Sequence, residues 1–185
     1  HHQGVIDWLS VPKDRAAFVY IKSTEGGDWK DTRFKENWNG ARNAGLKFGA
    51  YHFFTLCRDG KTQAQNFMNT VPNDENALPP AIDLEYVGNC SARPTKEKFL
   101  KELDDYVDVI TSHYGVQPIL YITNEFYKDY LQETPYATYR LWVRDVWFRP
   151  SIKNYPTMIY WQYVDKGRLE GINGPVDWNV QINKK

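Results

Sequence analysis

Hydrophobic positions recur along the chain in two rhythms. Short runs rich in β-branched and aromatic residues read as strands: "AAFVYIKS" (16–23), "KFGAYHFF" (47–54), "PPAIDLEY" (79–86), "QPILYIT" (117–123), "YRLWVRDV" (139–146), "TMIYWQYV" (157–164) and "PVDWNVQI" (175–182). Polar stretches of helical period lie between several of them. In "TKEKFLKELDDYVDVITSHYG", Phe99, Leu103, Tyr106 and Ile110 fall at spacings of four, three and four, which makes one apolar stripe, and Gly115 is placed to cap its end. The segments "RFKENWNGARNAGLK" and "KTQAQNFMNTV" carry weaker helical patterns, and "NEFYKDYLQET" opens with Asn124 as a candidate N-cap.

Strands that alternate with helices pair in parallel through right-handed crossovers, so the expected class is α/β, as an open doubly wound sheet or a closed barrel. No Gly-rich phosphate loop follows an early strand, which disfavours the nucleotide-binding open folds and favours the barrel. Eight full strand-helix units need about 250 residues. A chain of 185 residues therefore has reduced helices, and little room for any remains between 140 and 185. No repeat or low-complexity linker divides it, so residues 1–185 are expected to form a single domain.

Composition narrows the function classes. A hydrophobic content of 42% supports one substantial core. Basic and acidic residues balance at 23 each, which leaves no electrostatic footprint for nucleic acid or an anionic membrane, and the apolar runs are too short for a membrane span. The aromatic share of 16%, with 7 Trp and 13 Tyr, is high, and such side chains build ligand clefts as well as cores. Monomer is the expected state. Cys57 and Cys90 each sit in a polar segment just past a predicted strand. Whether they are bridged or are two free thiols stays open; a bridge would favour the oxidising, extracytoplasmic location, secreted, periplasmic or wall-associated, expected for this chain.

The chemistry concentrates in "PPAIDLEYVG". Alternate residues of a strand share a face, so Asp83 and Glu85 point one way with Ala81, while Ile82, Leu84 and Tyr86 point the other. In a parallel barrel one face looks under the helices and the other looks inward, with functional groups at the C-terminal strand ends. Desolvating a carboxylate costs several kcal/mol unless it is paired or protonated, so two acids there point to function, with a structural ion-pair network as the alternative. Their roots are about 6.5–7 Å apart, close enough for one to hold its proton to a higher pH than the other. A protonated acid beside an ionised one is what glycoside hydrolysis requires. The histidines, His1, His2, His52 and His113, show no metal-ligand spacing, and there is no G-x-S-x-G nucleophile elbow, so neither metal nor cofactor is expected.

Ordered along nearly the whole chain, "GVIDWLSV", "FVYIKSTEGGDWKD", "FGAYHFF", "PPAIDLEYVG", "PILYIT", "YRLWVRD" and "IYWQYVDKGRLEGINGPVDWN" resemble the glycoside hydrolase family 25 muramidases, the Chalaropsis-type lysozymes. The resemblance implies a flattened TIM-like β/α barrel with reduced helices that cleaves the β-1,4 bond between N-acetylmuramic acid and N-acetylglucosamine in peptidoglycan glycan strands without a metal. By position, Glu85 resembles the family's general acid, Asp83 its partner, and Asp177 in "PVDWN" the last acid of the site. Glu25 in "KSTEG" matches a signature acid for which a catalytic, structural or substrate-positioning role is open. Tyr51, His52, Tyr121, Trp142, Trp161 and Gln162 stand at strand ends where such enzymes line their groove, with core packing as the alternative.

Family members place a further acid in a D-x-S segment on a first barrel strand, just before the region matched here by "HHQGVIDW". With the sequence starting at His1, that strand is expected to be largely missing from it. The D-x-E geometry does not settle between retention, inversion and a route in which the substrate's acetamido oxygen attacks; the last is favoured, with Glu85 as proton donor and Asp83 or Asp177 steadying the acetamido group. Two other readings compete. A chitinase-like barrel would need the longer run D-x-x-D-x-D-x-E, where this chain has Pro79, Pro80, Ala81 and Ile82 before Asp83. A non-catalytic glycan-binding barrel would have little reason to keep several desolvated acids together.

Overall fold

The alternating patterns fold into one eight-stranded sheet with its helices on the outer face. The structure is a computed structural model and describes residues 4–182. Its elements are β1 (Phe18–Glu25), β2 (Trp29–Lys30), α1 (Phe34–Asn43), β3 (Lys47–Phe53), α2 (Gly60–Met68), β4 (Ala81–Leu84), α3 (Lys96–Tyr114), β5 (Ile119–Thr123), the short α4 (Asn124–Phe126), β6 (Leu141–Arg144), β7 (Met158–Gly167) and β8 (Val176–Gln181). The sheet order is β2-β1-β3-β4-β5-β6-β7-β8. The short β2 pairs antiparallel with β1, and the pairs from β1–β3 through β6–β7 are all parallel, as crossovers through α1, α2 and α3 require. Among the described residues no ladder joins β1 to β8, so the sheet is a curled half-barrel; an isolated bridge, Ile6 to Ile172, ties the early chain to the β7–β8 connection.

The longest helix follows its apolar stripe closely. Thr95 accepts from Lys98 N at 3.3 Å at its start, and Gly115 at φ 68° ends it by donating to the Thr111 carbonyl. Phe99, Leu103, Tyr106 and Ile110 are all fully buried against the outer face of the sheet, where Ile82, Leu84, Leu120, Ile122, Leu141 and Val143 meet them. Packing of α2 on α3 depends on Gly60. A Cβ there would lie 1.8 Å from the Glu102 carbonyl oxygen, and the Gly60 N–H donates to the Glu102 carboxylate at 2.8 Å.

The inner face has a second core made of rings. Ala81, Ile119, Trp142 and Tyr160 pack there with Phe18, Tyr20, Tyr51 and Tyr121. Phe18 stacks on Tyr160 at 4.7 Å between centroids, and Tyr20 meets Trp142 at 5.0 Å, so rings from opposite ends of the sheet touch across its concavity. This aromatic floor fills the N-terminal half of the hollow and leaves its C-terminal mouth for polar groups.

Four expectations need correction. β8 runs antiparallel to β7, because only residues 168–175 join them and a parallel crossover needs a dozen or more. The N-cap after β5 is Thr123, whose hydroxyl accepts from Phe126 N; Asn124 is inside the turn and accepts from the Tyr155 hydroxyl. The helical pattern at 124–134 becomes α4 followed by a π-helical turn at Tyr127–Leu131. The "PPAIDLEY" strand is only four residues, since Pro79 and Pro80 cannot donate to a ladder and Glu85 lies just past its end.

Candidate active site

Strand parity and register assemble the site. Phe53, Asp83, Tyr121 and Trp142 are register partners across β3, β4, β5 and β6, and all face inward. One step towards the mouth come Glu85 and then Arg144, in register with Gln162. Because β8 runs backwards, its first residues lie at the end where the parallel strands finish. Asp177 therefore joins the acids of β4, while Asn179, two residues on, pairs with Gln162 and accepts from Trp142 Nε1 at 2.8 Å.

A β-bulge completes the arrangement. The β1–β3 register shifts between Lys22 and Thr24, so Lys22 pairs with Tyr51 and Glu25 with Phe53, and both point inward. The Lys22 ammonium binds Glu25 Oε2 at 2.8 Å and lies 5.0 Å from the ring centroids of both Trp29 and Phe53. Two cations, Lys22 and Arg144, thus stand among Asp83, Glu85, Asp177 and Glu25. Arg144 is also bonded to Asp165 at 2.9 Å on the rim.

Acids outnumber cations here, and burial acts on top of charge. Asp83 is 9% exposed, and its Oδ1 is buried without a hydrogen-bond partner among the described residues. Desolvation, reinforced by the Glu85 and Asp177 charges and opposed by Lys22, holds its carboxyl well above the usual carboxylate range. Desolvation also raises Glu85, with Arg144 and Lys22 pulling down and Asp177 pushing up. Asp177 is pushed up to about 6 by partial desolvation and by Asp165, a shift that solvent moderates at its exposed rim position. Three neighbouring carboxyls with raised affinity for protons titrate as a group, because each ionisation makes the next one harder.

The signs give a test. Asp177→Asn removes a charge that raises Glu85 and should move the alkaline limb of the kcat/KM profile to lower pH; Arg144→Met removes a charge that lowers Glu85 and should move it to higher pH. Shifts in one direction for both variants would show that the limb does not report Glu85.

The structure brings together Asp83, Glu85, Asp177, Glu25, Tyr51, Tyr121, Trp142 and Gln162, and leaves two candidates outside. His52 is a correction: it is fully buried on the helix side, where Nδ1 meets Thr24 Oγ1 at 2.8 Å, Nε2 meets Gln63 Oε1 at 3.2 Å, and its ring stacks on Tyr106. Gln63 Oε1 also accepts from Thr55 N at 2.8 Å, which makes it an acceptor for the imidazole N–H; burial pulls the ring down to about 3 and keeps it neutral. Trp161 is the second. It packs on the outer core and donates Nε1 to the Asp145 carbonyl at 2.8 Å. Lys22 and Arg144 are further charged groups of the cluster, beyond the candidates that the sequence motifs mark. Each lies two residues beyond an inward aromatic, Tyr20 and Trp142, and that alternation is their signal.

Paired acids at the C-terminal rim of a curled parallel sheet, above an aromatic floor, have the layout of the β/α-barrel glycoside hydrolases. The chain belongs to family 25 of the glycosyl hydrolases, whose model matches residues 1–172. It is 31% identical over 176 residues to the autolytic lysozyme of Clostridium acetobutylicum, covering 95% of this chain and 52% of that protein. It is 33% identical over 187 residues to YegX of Escherichia coli K12, covering 96% of this chain and 65% of YegX, so the chain spans less than two thirds of these relatives. Among solved structures, a family 25 glycosyl hydrolase from Bacillus anthracis superposes with a TM-score of 0.89 at 35% identity, covering 100% of this chain and 86% of that one. A bacterial lysozyme from Streptomyces coelicolor does so at 0.87 and 28% identity, covering 99% and 89%.

Proposed function

We propose that the protein is a muramidase that hydrolyses the β-1,4 bond between N-acetylmuramic acid and N-acetylglucosamine in peptidoglycan. The observation that carries this reading is the convergence of Asp83, Glu85 and Asp177, all held above their ordinary proton affinity, at one mouth of the sheet. Family membership and the lysozymes among its relatives support the substrate class.

In the route this arrangement supports, Glu85 donates its proton to the glycosidic oxygen as the bond to the sugar's anomeric carbon breaks. The neighbouring acetamido oxygen attacks that carbon, and its N–H pairs with the orphaned Asp83 Oδ1. Water then adds to the same carbon, giving up a proton to Glu85 and returning the acetamido group, with net retention. Asp83 and Glu85 leave the same strand face, so they suit one side of the ring better than opposite sides. Digestion of purified peptidoglycan, followed by borohydride reduction and mass analysis, should yield reduced muramic ends. Reduced glucosamine ends, or binding without fragments, would overturn the assignment.

The protein acts outside the cytoplasm. Its substrate lies there, and among the described residues no helix is long and apolar enough to cross a membrane. The cysteines also suit an oxidising medium. Cys57 and Cys90 are free, and the neighbouring Cys90 thiol pushes the Cys57 thiol up; Cys90 Sγ donates to Asn89 Oδ1 at 3.6 Å, and the same oxygen accepts from Leu56 N at 2.9 Å and Cys90 N at 3.0 Å. With oxidised glutathione, one thiolate would attack the reagent disulfide and the second would displace the resulting mixed disulfide. Two thiol protons are lost, and the reagent is reduced to two thiols. The bridge should lower the mass by two hydrogens and raise Tm by ~10 °C, with no rise in Cys57→Ser. Persistence of two free thiols after such treatment would remove this support.

A further inference from the structure

A second concavity opens on the same end of the sheet, between the loop after β4 and the turns after β5. Its volume is about 490 Å3, and its walls include Tyr86, Tyr130, Arg93, Lys96, Glu125 and Asp129. Aromatic sides carrying two cations and two anions make a surface of mixed fixed charge. Three of the four charges are also oriented by contacts within the protein. Arg93 lies 4.6 Å from the Tyr86 ring centroid and gives Nη1 to the Cys90 and Ala92 carbonyls, both at 2.8 Å; its other donors meet no protein acceptor among the described residues. Lys96 uses one donor on the Gln132 carbonyl at 2.8 Å. The Tyr86 hydroxyl donates to Asp129 at 2.7 Å and fixes that carboxylate, while no hydrogen bond engages the Glu125 carboxylate among the described residues.

The cavity adjoins the acids without belonging to them. Glu85 and Tyr86 are consecutive, so their side chains leave opposite sides of the chain: one enters the cleft, the other walls the cavity. A neutral glycan has no use for paired opposite charges. The peptide stem on the lactyl group of muramic acid does, because it carries free carboxylates and, in many walls, the amine of a diamino acid. A stem of about four residues reaches roughly 13 Å, enough to pass from a sugar at Glu85 over one strand.

We propose that this cavity binds the peptide stem of the muramic residue next to the scissile bond, with Arg93 and Lys96 taking stem carboxylates and Glu125 and Asp129 taking the amine. The inference rests on the muramidase reading and specifies its substrate: peptidoglycan bearing stems, in preference to bare glycan.

The test compares kcat/KM on peptidoglycan with kcat/KM on the same glycan after an amidase has stripped its stems. Arg93→Ala and Glu125→Ala should each lose roughly five- to tenfold on the stem-bearing substrate and nothing on the stripped one. The unaltered protein should itself prefer the stem-bearing form. Equal losses on both substrates, or none, would overturn the proposal. Glu125→Ala guards against misfolding of the Arg93 loop, because it breaks no protein hydrogen bond. In parallel, NMR of the Tyr86 and Tyr130 ring signals during titration with a free stem tripeptide reads the cavity without turnover. Shifts that vanish in Glu125→Ala support it, and silence overturns it. Absence of turnover on both substrates together with tripeptide shifts would sink the muramidase reading and leave the cavity standing.

Discussion

Glu85→Gln is expected to reduce turnover of peptidoglycan by about 10³-fold while leaving the melting temperature within a few degrees of the unaltered protein, since general acid catalysis of this kind contributes on the order of 10²–10⁴. The amide keeps the shape of the acid but has no proton to transfer. Glu85 is the one acid of the cluster positioned just past the end of β4, half-buried and open to the mouth, and desolvation raises its hold on a proton. A leaving glycosidic oxygen needs that proton as the bond breaks, and neither cation nearby can replace it: Lys22 is bound to Glu25 and Arg144 to Asp165. Release of reducing ends, followed at fixed protein concentration beside a thermal melt, measures both quantities. Rates near those of the unaltered protein would remove Glu85 from the chemistry.

Much of this site could be read before any coordinates, because alternation in a strand is a strict rule. Ala81, Asp83 and Glu85 share a face, and the structure puts Ala81 and Asp83 on the inner side and Ile82 and Leu84 under the helices. The same rule exposes where the reading over-reached. Tyr51 and His52 are neighbours, as are Trp161 and Gln162, and one strand cannot send both members of a pair into one groove. Register then decides which enters: Tyr51 pairs with Ala81, while His52 pairs with Ile82 and goes to the helix side.

Other features were not legible, for physical reasons. Lys22 and Glu25 are three apart and would face opposite ways on a regular strand; only the bulge, set by contacts with β3, turns both inward. A two-residue strand such as β2 is shorter than any period that hydrophobicity can show. The reversal of β8 follows from the length of its connection rather than from its residues, yet it alone brings Asp177 to the mouth. The helical fold, by contrast, is local chemistry: the Thr95 cap, the stripe from Phe99 to Ile110 and the left-handed Gly115 are all written in one stretch.

Asp83→Asn is expected to lower turnover by about 10²-fold or more and, at neutral pH, to raise the melting temperature, in keeping with the trade between stability and activity at strained sites. Asp83 is buried with an oxygen that no group satisfies among the described residues, and desolvation holds its carboxyl well above the usual carboxylate range in the fold. The sign of the stability effect follows from proton binding. Above about pH 4 the unfolded chain has released this proton while the folded chain still holds it or pays to release it, so stability falls as pH rises through the folded pKa. The amide carries no such penalty. The gain should therefore appear at pH 7 and disappear at pH 3, where the acid is protonated in both states. Lys22 keeps its Glu25 partner in the variant, so no cation is stranded by the change. Melts at the two pH values beside a turnover assay separate the alternatives: a structural Asp83 would give a less stable variant at pH 7, whereas an acid kept in place to receive an acetamido N–H gives one that is more stable and almost inert.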